Sequence, residues 1–116
     1  MRISNEVLWN AITLDGNKTS DPVWLAHIGL WSAQAVFTGT PSGNLKIQVS
    51  CDDGQNTLGA GVVNWTDLTD SITTVSAAGT VTYNVREAGY KWIRAVWTDT
   101  GSSGATVKLT VNLKGF

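Results

Sequence analysis

Three runs of the chain alternate apolar and polar residues with a period of two, and no other feature constrains the fold as tightly. Leu45, Ile47, Val49 and Cys51 alternate with Lys46, Gln48 and Ser50. Val81, Tyr83 and Val85 alternate with Thr82, Asn84 and Arg86, and Val107, Leu109, Val111 and Leu113 with Lys108, Thr110 and Asn112. In an extended strand successive side chains point to opposite faces, so each run has one dry face and one wet face. That is the pattern of an antiparallel sheet packed on one side. Breakers stand between the runs: Thr40-Pro41-Ser42-Gly43, Asp52-Asp53-Gly54, Ala78-Gly79, Ala88-Gly89 and Gly101-Ser102-Ser103-Gly104. No segment carries an apolar stripe of helical period. The reading is an all-β, two-sheet antiparallel sandwich, with a jelly roll as the expected topology. An immunoglobulin-type sandwich is the alternative, and the inter-sheet cysteine pair of antibody domains is missing.

Strands are expected at about 3–9, 11–15, 23–27, 30–38, 44–51, 62–67, 71–75, 80–86, 91–99 and 105–114. There is no internal repeat or linker, so residues 1–116 read as one domain, with strands or an arm over 1–19 and a core over 20–116. Two strands depart from clean alternation. Over 30–38, Ala33, Ala35 and Phe37 form one face and Gln34 and Val36 the other. Over 91–99, Ile93, Ala95 and Trp97 oppose Trp92, Arg94 and Val96. Only one face of the second strand can meet the core, so the other needs cover from a loop, a ligand or a neighbouring subunit. Gln34, Val36, Trp92, Arg94 and Val96 are therefore the expected subunit or ligand contacts. Gln34 shares the contact of Arg94 if the two strands are neighbours.

Composition narrows the function. Charged residues are 15% of the chain, the net charge is −1, and the cations are scattered. Nucleic-acid binding needs a basic patch or stripe, which is absent. Six tryptophans, at positions 9, 24, 31, 65, 92 and 97, exceed what so small a core is expected to hold. Surplus indole with little charge implies a surface that meets a ligand or another subunit. No apolar stretch approaches the ~20 residues of a membrane helix. Asn5 and Glu6 interrupt the apolar run that a signal peptide needs, so synthesis in a cytoplasm is expected.

Chemistry-bearing clusters are sparse. Cys51 is the single cysteine and His27 the single histidine, two ligands at most where zinc takes about four. His27 has no evident partners for a catalytic triad, the two glutamates and seven aspartates make no facing pair, and no glycine loop opens a helix. The chain reads as non-enzymatic and without a cofactor. Asp52-Asp53-Gly54 reads as a turn, with the aspartates capping backbone and Gly54 supplying positive φ. Calcium is the lesser reading, because the spacing of an EF-hand loop is absent.

The succession SDPVWLAHIGLWSAQAVFTGTPSGNLKIQVSCDDG, NWTDL, AAGTVTYNV and AGYKWIRAVWTDTGSSGATVKLTVNLKG resembles a family of small phage and prophage virion proteins. The match runs from about Ser20 to Gly115. It departs from the family pattern at Cys51, where a polar residue is usual, and in a longer 52–63 loop. The resemblance implies a jelly roll placed in the virion as head decoration, fibre or tail component. It also implies a homo-oligomer, often a trimer, whose partners are its own copies and other virion proteins. The turn-and-tryptophan pattern is also similar to discoidin-like sugar-binding sandwiches. A carbohydrate-binding module is the alternative, and a host-surface glycan a further expected partner.

Overall fold

The computed structural model describes residues 2–25, 28–54, 61–85 and 90–115. Ten strands run in chain order: β1 (Arg2–Thr13), β2 (Lys18–Thr19), β3 (Val23–Trp24), β4 (Ile28–Thr40), β5 (Gly43–Ser50), β6 (Thr66–Asp67), β7 (Thr73–Val75), β8 (Gly79–Val85), β9 (Trp92–Asp99) and β10 (Ser103–Gly115). Every pairing is antiparallel. One sheet has the order β1-β10-β4-β8; the other runs β2-β9-β5-β6, with β3 also on β9 and β7 also on β5. Counting β2 with β3 and β6 with β7 as two interrupted strands leaves eight. Their orders are then first-eighth-third-sixth and second-seventh-fourth-fifth, the strand order of a jelly roll.

The alternation decides what lies between the sheets. Trp31, Ala33, Ala35 and Phe37 of β4 and Val107, Leu109, Val111 and Leu113 of β10 meet Leu45 and Ile47 of β5 and Ile93, Ala95 and Trp97 of β9. The Phe37 and Trp97 rings meet at 5.4 Å between centroids. Buried aromatic polar atoms find partners, as they must in a dry core. Tyr83 Oη on β8 donates to the Leu45 carbonyl at 3.2 Å, tying one sheet to the other. Trp31 Nε1 donates to Tyr90 Oη and Trp97 Nε1 to Asp99 Oδ1, both at 3.2 Å. Four of the six indoles (Trp9, Trp31, Trp92 and Trp97) are buried, contrary to the expectation of surplus. Inward alanines at 33, 35, 95 and 105 make the room that large rings require.

The six-stranded sheet is bounded by its two interrupted strands, and the same device heals both interruptions. Asp21-Pro22 takes the backbone out of the ladder between β2 and β3. Buried Ser20 receives the Ala95 N–H on its Oγ at 2.8 Å while its own N–H donates to the Ala95 carbonyl at 2.9 Å. Between β6 and β7, buried Ser71 receives the Ile47 N–H on Oγ at 3.1 Å, and its hydroxyl lies 3.2 Å from the Ile47 carbonyl. A serine hydroxyl thus substitutes for a missing strand acceptor at each edge. In the other sheet the expected pair of strands over 3–9 and 11–15 is one continuous strand, β1. Register shifts between Val7 and Trp9 and between Trp9 and Ile12 bend it, with Ala11 at φ 53°.

Candidate functional site

The outward face of the six-stranded sheet carries the chain's distinctive surface chemistry. Register sets Trp92 opposite Ser50, Arg94 opposite Gln48 and Val96 opposite Lys46 across β9 and β5. Beyond β9, Trp24 of β3 stands opposite Trp92; beyond β5, Asp67 of β6 stands opposite Gln48. The side chains join into a chain of hydrogen bonds. Arg94 Nε donates to Gln48 Oε1 at 2.8 Å, and Gln48 Nε2 donates to Asp67 Oδ1 at 3.0 Å. Lys46 Nζ closes it on the same carboxylate at 3.1 Å. The Arg94 guanidinium lies 4.2 Å from the centre of the half-buried Trp65 ring, a cation–π contact. The Gln48 and Lys46 bonds hold the Asp67 pKa below the usual carboxylate range, and partial burial lowers that of Arg94.

The loop after β5 roofs one end of this face. Among the described residues, the partners of the Asp52 side chain lie at the far end of the loop. Its carboxylate accepts the backbone N–H groups of Val63 and Asn64, each at 2.9 Å, and the Asn64 Nδ2 at 3.0 Å. One aspartate therefore pins the far end of the loop to its start, and the Asn64 and Val63 bonds lower its pKa. The Asp52 carbonyl receives Trp92 Nε1 at 3.0 Å. Gly54 adopts φ 72°, and a Cβ there would come 2.8 Å from Trp92 Cζ2, so the position needs glycine for both backbone angle and space. Asp53 turns the other way and pairs with Lys91. The two adjacent carboxylates thus serve different partners.

The opposite sheet presents a different outer surface. Asn5, Asn112, Ser32 and Asn84 form one row across β1, β10, β4 and β8; Val7, Thr110, Gln34 and Thr82 form the next, and Lys108, Val36 and Thr80 a third. These rows hold a single charge, Lys108, and the next row along β10 adds exposed Lys114. Val7 and Val36 are exposed within them, Val36 at 37%.

The five expected contact residues do not form one surface. Gln34 and Val36 lie outward on β4, whereas Arg94 and Val96 lie outward on β9 in the other sheet, so the two strands are not neighbours and Gln34 does not share the surface of Arg94. The correction has a topological cause: strands 30–38 and 91–99 look alike in sequence but belong to different layers of the jelly roll. Trp92 is corrected as well. At 1% exposure it is covered by the chain's own loop and by Trp24, whose ring stacks on it at 6.3 Å and 26°. Sequence reasoning missed Trp24 and Trp65 as the outward indoles, and Gln48, Lys46 and Asp67 as their neighbours. The alternation of β5 does mark Lys46 and Gln48 as outward, and only the pairing of β5 with β9 was lacking. His27 and residues 55–60 of the 52–63 loop lie outside the described residues. Among those described, no three His, Cys, Asp or Glu side chains cluster.

No protein-family model matches the chain, and no curated protein sequence matches it. Solved structures do share the fold. The SPBc2 prophage-derived protein YomS superposes with a TM-score of 0.64 at 9% identity, covering 97% of this chain and 94% of YomS. The PBSX exported protein XepA superposes with a TM-score of 0.62 at 17% identity, covering 97% of this chain and 37% of XepA. The chain therefore spans little more than a third of XepA and nearly all of YomS. At these identities the likeness is one of fold.

Proposed function

We propose that the protein is a non-enzymatic structural or accessory subunit of a phage or prophage particle, working as a homo-oligomer. The observation that carries this reading is a jelly roll shared over 97% of the chain with two prophage proteins. The motif succession from Ser20 to Gly115 points the same way. The self-association surface in this proposal is the outer face of the β1-β10-β4-β8 sheet, centred on Gln34 and Val36. Charge depletion distinguishes the cores of protein interfaces, and a sheet face whose central rows are neutral, with Lys108 and Lys114 toward its two ends, fits that pattern. A repeated, closed arrangement such as a trimer needs only one such surface contacting its symmetry mates. Mass spectrometry of density-purified particles from the host strain tests the placement. The chain is expected in stoichiometric amount in intact particles. Its recovery only from the particle-free lysate would contradict the proposal.

A further inference from the structure

We infer that the outward face of the β2-β9-β5-β6 sheet is a binding site for a pyranose oligosaccharide, laid across the strands between Trp24 and Trp65. Trp24 is 48% exposed and is backed by the buried Trp92 ring, so it is a rigid aromatic surface with one side open. Trp65 stands at the other side of the sheet, directly before β6, steadied by the Arg94 guanidinium. Three strand intervals, about 14 Å at ~4.8 Å each, separate their backbone positions, and the Trp65 ring reaches back over Arg94 of β9, leaving a shorter span that suits a short oligosaccharide.

The side chains beside the two indoles, in the next rows along β9 and β5, decide the kind of ligand. Arg94, Gln48, Asp67 and Lys46 are already joined by hydrogen bonds and so are held in place before anything binds. Among the described residues only Nε of the five Arg94 N–H donors is engaged, and the Asp67 oxygens keep further acceptor capacity. A polyol satisfies such groups with its own hydroxyls as it displaces water, while its axial C–H faces lie on indole. The face carries two cations against one carboxylate, a small positive excess, so neutral or acidic glycans suit it.

The site goes beyond the particle reading and does not depend on it. The test is a microarray of neutral and acidic bacterial-surface oligosaccharides, followed by tryptophan-fluorescence titration with the retained sugars. Trp24→Ala, Trp65→Ala and Gln48→Ala are compared with Gln34→Ala on the opposite sheet. Trp24 and Gln48 lie outside the core, so folding of their variants is expected and is checked by circular dichroism. Retention of at least one pyranose oligosaccharide is expected, with longer chains bound more tightly than the monosaccharide. Trp24→Ala and Gln48→Ala should each weaken binding by about tenfold, and Gln34→Ala should leave it unchanged. Failure of the wild-type protein to retain any sugar overturns the inference. So does binding that the folded Trp24→Ala and Gln48→Ala variants leave intact.

Discussion

At the scale of single residues, two buried serines are the clearest points of vulnerability. Ser20 and Ser71 each receive a strand N–H, from Ala95 and Ile47. Removing a hydroxyl leaves that donor buried and unpaired, which costs about 1–3 kcal/mol. Ser20→Ala and Ser71→Ala should each lower stability by that amount in urea unfolding, whereas Ser76→Ala, at an exposed position, should change it little. Equal behaviour of all three would show that the healed interruptions do not matter. Neither serine was legible in the sequence, because each looks like a turn residue until the strand opposite is known. The acidic turn was half legible. Gly54 does take positive φ, yet Asp52 reaches eleven and twelve residues along the chain to Val63 and Asn64. With Asp52 and Asp53 committed to separate partners, added calcium should leave the melting temperature unchanged. A clear rise would reveal an ion bound to the native state alone.

At the scale of elements, long alternating runs were readable and short interrupted ones were not. The alternation of 44–51, 80–86 and 105–114 places β5, β8 and β10 within a residue or two of their observed bounds, and the apolar run 91–99 does the same for β9. Their inward side chains are those the period predicts. By contrast β2 is two residues long and was not anticipated, and the stretches 62–67 and 71–75 contribute only Thr66–Asp67 and Thr73–Val75. Short edge strands carry no periodicity, since tertiary pairing and not local pattern holds them. They also blunt the sheet against unwanted strand addition. The candidate contact residues were readable as outward positions, but the layer each belongs to was not. Register fixes which side chains share a row, and one strand's sequence does not state its neighbour.

At the scale of the whole molecule, ionisation should bound stability on both sides. Asp15, Asp52, Asp67 and Asp99 all have pKa values lowered in the folded protein, chiefly by hydrogen bonds from Lys18, Asn64, Gln48 and Ser102 respectively. A lowered carboxylate pKa gives stability that is present above the unfolded value of about 3.9 and is lost as pH falls through the folded value. Burial raises the pKa of Tyr83 and Tyr90. Their contribution is present below an unfolded value of about 10 and is lost as pH rises through the folded one. Thermal melts should therefore be flat from about pH 5 to 9 and fall on either side of that range. A melting temperature unchanged down to about pH 2 would contradict the hydrogen-bonded carboxylates.

The sandwich thus has two unlike outer surfaces, one over β4 with neutral central rows flanked by Lys108 and Lys114 and an aromatic, hydrogen-bonded one over β9. If copies associate through the first, the second remains free. Sedimentation of the wild-type protein, Val36→Glu and Arg94→Ala at tens of micromolar, roughly the range in which standard interfaces hold, examines that division directly. Val36 is exposed, and Arg94 has its partners within the chain. The expected result is an oligomer for the wild type and for Arg94→Ala, and a folded monomer for Val36→Glu. A monomeric wild type, or a Val36→Glu oligomer as stable as the wild type, would contradict self-association through the β4 face.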